Sequence, residues 1–208
     1  MKYLSKTGLV AVALMFLLSL VFLPILPEKI PMHWDAYGNV DSYMPKFPSL
    51  FLIPSLSLFL LLLFYILPAI DPLAKNYKKF ESYYKMLVKL IILFLLYMQI
   101  IIVFANFVDV RITYIVLPAL SLLFYFMGEV LQHSKRNWFV GIRTPWTLSN
   151  DKVWKETHKR GGKLFKAMAF VTVISIIFVN YAFYFIIASV FLVAFYLVIY
   201  SYLLFRRL

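Results

Sequence analysis

Long uncharged runs, separated by short charged or turn-forming segments, set the pattern of the chain. From Thr7 to Leu26 there are 20 residues without a charge, preceded by Lys2 and Lys6. At 1.5 Å rise per residue such a run crosses a hydrocarbon core of about 30 Å. A cleaved signal peptide has an apolar region of only about 7 to 15 residues and a small-x-small cleavage site. Here the run ends in LPILPEK, which predicts a retained first span at about 7–26. Further spans are predicted at about 49–70, 86–108 and 112–132. Pro54 and Pro68 fall near the ends of the second, where proline is tolerable. Only Asp109, Val110 and Arg111 separate the third from the fourth, predicting a tight antiparallel hairpin. The 39 uncharged residues from Ala167 to Phe205 are too long for one helix of about 20 residues. They predict two spans, about 165–180 and 184–205, turning at Asn180 to Tyr184. The expected fold is all-α: one integral membrane domain over 1–208 with six transmembrane helices, a short first outer loop and a long basic inner loop at 133–164. No internal repeat or low-complexity linker divides it.

Composition agrees with this pattern. Hydrophobic residues make up 63% and charged residues 14%, against roughly 25% charged in soluble domains. Mean hydropathy is +0.86. The net charge of +12 invites a nucleic-acid reading, but cytoplasmic loops and anionic lipid produce the same excess. With the amino terminus inside, 18 of the 21 lysines and arginines lie on the inner side and three, Lys29, Lys46 and Arg111, outside. That division predicts a multi-pass protein of the cell membrane with both termini cytoplasmic, the lipid bilayer as its partner, and no nucleic acid. The absence of cysteine excludes disulfides, thiolate metal sites and a cysteine nucleophile. Nothing calls for a cofactor. The spans hold almost no ionisable groups and few central glycines or prolines, which argues against a pump or ion-coupled carrier. Gln99, Asn106, Ser121, Thr172, Ser175 and Ser189 are candidates for interhelical hydrogen bonds.

Candidate chemistry falls in two places. In the outer loop, PMHWDAYGNVDSYMPK, His33 and Asp35 share one face of an extended segment, and Gly38-Asn39 suits a turn that returns Asp41 toward them. Three readings follow: a structural cap with His33 bonded to Asp35 and Trp34 and Tyr43 at the interface, a partner surface, or an incomplete metal site. In the inner stretch, Asn137 to Gly162, Arg143 follows Gly141-Ile142 and precedes Thr144-Pro145, forcing a turn. Thr147 or Ser149 can then cap a helix with Asp151 in its first turn. Trp154, His158, Gly161 and Phe165 share one face, and Gly161-Gly162 are placed to stop or kink the helix before the fifth span. Tryptophans 138, 146 and 154 suit headgroup anchoring, with anionic lipid on the lysines. Alternatively Arg143, with Thr144 and Thr147, binds a carboxylate or phosphate, or pairs with Glu129. Glu129 and His133, four residues apart, form either a hydrated helix end or, with Arg136, a polar pocket beneath the loop.

Gly141-Ile142-Arg143-Thr144-Pro145-Trp146-Thr147-Leu148, with Val153-Trp154, Thr157-His158 and Gly161-Gly162, resembles the signature of the SdpI-like family, the sporulation-delaying-protein immunity proteins. Pro31-Met32-His33-Trp34-Asp35, Gly38, Asp41 and Lys46 resemble the uncharacterised amino-terminal membrane module that accompanies it. The resemblance implies a small six-span, non-enzymatic protein that protects a cell from a secreted, membrane-damaging peptide toxin. It carries no established catalytic residues. Arg143, Thr144, Pro145, Trp146, Trp154 and His158 stand on its signature positions. Two other functions stay open. One is a signalling protein whose basic inner loop binds a soluble partner or lipid. The other is a membrane enzyme using His158 or His133 with Glu129 or Glu156 as acid and base, although no nucleophile elbow, HExxH or paired-carboxylate motif is present.

Overall fold

The computed structural model describes residues 5–108 and 111–208. Lys2 and the Asp109–Val110 part of the predicted tight turn lie outside the described residues. Helix α1 (Lys6–Phe22) is capped by Ser5, whose hydroxyl accepts the Gly8 N–H at 3.1 Å. Strands β1 (Lys29–Trp34) and β2 (Val40–Pro45) pair antiparallel, with irregular register around His33. There follow α2 (Lys46–Ile70), a 3-10 turn (Ala74–Lys79), α3 (Glu81–Phe104), α4 (Ile112–His133), a short α5 (Pro145–Ser149), α6 (Asp151–Ile174), a second 3-10 turn (Ser175–Tyr181) and α7 (Ala182–Arg206).

The chain is therefore not purely α, because its first loop closes as a two-stranded sheet. Among the described residues, four helical segments are long and apolar enough to cross a membrane: α2, α3, α4 and the 56-residue stretch Asp151–Arg206. The shorter α1 is apolar over 17 residues. The 56-residue stretch is bent at Phe178, whose φ of −114° and ψ of 51° leave the helical region. Beyond it α7 runs back along α6, so that Arg160 meets Tyr196 and Gly161 meets Leu197. The second half of the expected loop 133–164 is helix, since α6 already begins at Asp151.

Two helical groups result. α1, α2 and α3 pack together, as do α4, α6 and α7, and the α3–α4 contact joins the groups. In the first, the two prolines of α2 explain its polar contacts. Pro54 has no N–H to offer the carbonyl of Leu50 one turn earlier, and Pro68 none for that of Phe64. Both carbonyls are taken by side chains from other helices, as an apolar medium requires. The Leu50 oxygen accepts Ser19 Oγ at 2.6 Å and Gln99 Nε2 at 3.1 Å, and the Phe64 oxygen accepts the Tyr84 hydroxyl. In the second group α4 and α6 approach closely at Gly128 and Gly162. A Cβ on Gly162 would stand 2.5 Å from the Gly128 oxygen. Ser121 Oγ donates to the Ala169 oxygen at 2.8 Å along the same seam.

Of the six polar span residues, Gln99 and Ser121 thus bond across helices. Asn106, Ser175 and Ser189 instead bond carbonyls three or four residues back in their own segments, and the Thr172 hydroxyl has no partner among the described residues.

Candidate functional site

At one end of the bundle sits the β-hairpin. Gly38, at φ +86°, makes its turn, and a Cβ there would fall 2.2 Å from Thr113 Oγ1 in the first turn of α4. The Asp35 carboxylate closes the turn by accepting the N–H groups of Tyr37 and Asn39, both at 2.9 Å. The Asn39 N–H above all holds its pKa below the usual value. His33 does not bond Asp35, because the turn already occupies that carboxylate. Its Nδ1 lies 2.6 Å from Asp41 Oδ1 across the strands. No cluster of three or more metal-ligating side chains occurs among the described residues. Trp34 is half-buried and faces inward rather than floating at the interface, whereas Tyr43 is exposed. Tyr37 reaches across to Tyr184 of α7, whose hydroxyl bonds it and raises its pKa.

The hairpin roofs an open apolar cavity of about 640 Å³. Met32 and Trp34 line it from the hairpin, Leu56 from α2, Leu120 from α4, and Phe183 and Ile187 from α7. Both helical groups therefore contribute walls.

The polar stretch stands at the opposite end and is a clasp. Asn137 is fully buried. Its Oδ1 accepts the Val140 N–H at 2.6 Å and the Phe139 N–H at 2.9 Å, and its Nδ2 donates to the Val140 oxygen at 2.9 Å. The loop after α2 grips the same turn: Asp71 Oδ2 accepts the Trp138 N–H at 2.8 Å and the Tyr77 hydroxyl at 3.0 Å. Asn76 Nδ2 donates to the Arg136 oxygen at 2.8 Å.

Gly141, at φ +122°, brings the backbone against α6, where a Cβ would lie 2.3 Å from His158 Nε2. The Ile142 N–H donates to that nitrogen at 2.9 Å, so Nε2 is unprotonated, and Nδ1 lies 2.8 Å from the Trp154 oxygen, to which it donates. The imidazole is held neutral. It sits in the polar turns of α6, ahead of the uncharged run that begins at Ala167, and burial lowers its pKa to about 4. Trp154 stacks on it at 3.9 Å and donates Nε1 to the Ser134 oxygen at 3.2 Å. Trp154 is thus buried in the clasp and is not a headgroup anchor.

Thr144 caps the short α5. Its Oγ1 accepts the Thr147 N–H while Thr147 Oγ1 accepts the Thr144 N–H, with Pro145 in the first helical turn. Thr144 Oγ1 also lies 3.2 Å from Ser201 Oγ on α7, and Trp146 packs on Tyr202 at 5.0 Å. α6, with Asp151 in its first turn, takes its cap from Asn150 and not from Thr147 or Ser149. It then continues unbroken through Gly161 and Gly162, which serve close packing against α4 and α7 and not termination.

Apart from Glu129 and His133, whose Oε1 and Nδ1 lie 3.9 Å apart, the charged candidates do not converge. Arg143 is exposed and donates to the Trp138 oxygen at 2.8 Å instead of pairing with Glu129. Glu129 pairs with Lys166 of α6. His133 stacks on Tyr83 at 3.9 Å, its Nδ1 2.9 Å from the Glu129 main-chain oxygen. Arg136 points away to the Leu148 oxygen and, as an ion pair, to Asp151. Among the described residues, His158 is bonded to the Ile142 N–H and the Trp154 oxygen and to no carboxylate.

The clasp begins at Ser134 and ends at Ser201. Residues 134–201 match the SdpI/YfhL protein family. Over these residues the chain is similar to the SdpI/YfhL family. Residues 10–58, spanning most of α1, the hairpin and the start of α2, match a Domain of unknown function (DUF1648). Across 165 residues the chain is 28% identical to the Immunity protein SdpI of Bacillus subtilis (strain 168), covering 79% of this chain and 77% of that protein. No solved structure matches. The two matched stretches thus lie in one multi-pass membrane bundle.

Sequence reasoning missed Asp71, Tyr77 and Ser201, which tie the SdpI/YfhL signature to the rest of the chain. One signal for Asp71 was available: it is the only carboxylate between the second span and Glu81, and Pro72 follows it.

Proposed function

We propose that the protein crosses the cell membrane six times with both termini cytoplasmic. There it acts, without catalysis, as an immunity-type protein against a secreted membrane-active peptide. Likeness over most of its length to an immunity protein supports this reading. The observation that carries it is the hairpin-roofed apolar cavity, of about 640 Å³ and open at its side. With 18 of 21 cationic residues assigned inside, the hairpin end faces outward, where such a peptide arrives. An amphipathic helix would lay its apolar face into the cavity, and the exposed His33–Asp41 pair and Asp35 at the rim would meet its polar face. In this reading the SdpI/YfhL signature keeps the bundle in shape while the hairpin end recognises the peptide.

The test is expression in a bacterium sensitive to such a peptide. Survival should rise over a strain making an unrelated six-span protein at the same membrane level. Unchanged killing with the protein correctly inserted would refute the proposal.

α4 favours a second reading. Its first turn seats the hairpin at Gly38 and its far end seats α6 at Gly128, so occupancy of the cavity has a direct route to the basic signature end. In that reading a soluble partner binds there in response. Capture of a partner from lysate that depends on Arg143 and on added peptide would support it.

A further inference from the structure

A second cleft, of about 370 Å³, opens between α6 and α7 at the signature end. It is lined by Glu156, Lys159, Arg160 and Lys163 from α6 and by Tyr196 and Tyr200 from α7. Arg160 is fixed in it from two directions. Its Nη1 donates to the Tyr196 hydroxyl at 2.5 Å, and its guanidinium carbon lies 4.7 Å from the centre of the Tyr200 ring. These contacts use one N–H and one face of the fork, and its other donors have no hydrogen-bond partner among the described residues. Lys159 and Lys163, four residues apart, flank it and are exposed. Glu156 is the single carboxylate of the lining, and none of the three cations is within ion-pair distance of a carboxylate among the described residues. The cleft therefore keeps an excess of two positive charges.

Its level in the bundle says what fills it. The charges of α6 end at Lys166 and the uncharged run begins at Ala167, so the hydrocarbon boundary crosses α6 just past the cleft. Tyrosines placed opposite, on α7, are what such a boundary collects. From Tyr196 the same stripe of α7 continues toward the hairpin end through Leu192, which is 70% exposed, beside Phe195 at 69%. A cationic cleft at headgroup depth thus opens onto an apolar track.

We propose that the Arg160–Tyr196–Tyr200 cleft binds the phosphate of an anionic phospholipid, with Lys159 and Lys163 beside the headgroup and one acyl chain along Leu192. The guanidinium supplies directed donors to the phosphate oxygens, which lysines scattered on a loop would not. The proposal is independent of the immunity reading.

The test uses the full-length protein in detergent, titrated with phosphatidylglycerol, phosphatidylcholine or glycerol phosphate, with bound molecules counted by native mass spectrometry. Phosphatidylglycerol should bind at least about tenfold more tightly than phosphatidylcholine, given roughly fivefold per cation near an anionic group. The double variant Arg160→Gln, Lys163→Gln should weaken it by about 25-fold. Lys152→Gln with Lys155→Gln removes the same charge from α6 outside the cleft and should leave binding within about twofold. Tyr200→Leu keeps every charge and should still weaken binding a few-fold, which protects the test if the double variant folds poorly. Equal losses in the two double variants, no preference for phosphatidylglycerol, or glycerol phosphate binding as tightly as the lipid would each overturn the assignment.

Discussion

His158 accepts a main-chain N–H at one nitrogen and donates to a carbonyl at the other, so protonation must break the Ile142 contact that seats the signature turn. Its pKa falls from 6.5 to about 4 on burial. Between these values the released state binds more protons than the clasped one. The clasp is therefore fully stable above about pH 6.5 and weakens as pH falls toward 4, by about 3 kcal/mol in all. Thermal unfolding in detergent should show this loss for the natural protein and a flatter profile for His158→Gln, whose amide has no proton to gain. A profile unchanged by His158→Gln would remove the histidine from the clasp's pH response. Gly141 carries a second prediction. A side chain there would face both φ +122° and a Cβ 2.3 Å from His158. Gly141→Ala should cost about 3 kcal/mol, measured as a lowered unfolding midpoint. Arg143, exposed and bonded among the described residues only to the Trp138 oxygen, should tolerate alanine with little change in stability.

Among the elements, α2 owes its place to two carbonyls that its prolines leave open. If Gln99 bonds the Leu50 oxygen because Pro54 cannot, the two residues are coupled. Gln99→Leu should destabilise the natural protein by about 1 kcal/mol, and by clearly less in a Pro54→Ala background, where the helix bonds that oxygen itself. Additive effects in a double-mutant cycle would show that the proline is incidental. The helices themselves were legible in the sequence because an uncharged run of the right length has few alternatives. α2 and α4 begin and end within three residues of the expected spans. α3 starts five residues early, because Glu81 and Lys85 pair on its first exposed turns and so charge does not mark its beginning. The hairpin was legible from Gly38-Asn39. The role of Gly161-Gly162 was not, since a glycine pair can end a helix or admit a neighbour, and only the partner at Gly128 decides. Nor was the grip of Asp71 on Trp138, 67 residues away in sequence, which no local pattern encodes.

As a whole the molecule has a polar clasp at one end and an apolar, hairpin-roofed cavity at the other. The clasp carries the 141–148 motif, and the hairpin carries that of the accompanying module. The sequence offered two candidate sites, the signature and the outer loop, because their residue types are those of chemistry. Placed in the fold, most of the signature's groups bond to one another or to the backbone; clefts of about 370 and 320 Å³ open at that end, and the apolar cavity of about 640 Å³ lies under the hairpin. Protection should therefore depend on the cavity and not on the exposed signature arginine. The most direct measurement is survival of peptide-challenged cells expressing Leu120→Trp, which fills the cavity, or Arg143→Ala, each at the membrane level of the natural protein. The account predicts that Leu120→Trp abolishes protection while Arg143→Ala retains it. Full protection by Leu120→Trp together with loss in Arg143→Ala would contradict it and return the functional centre to the signature.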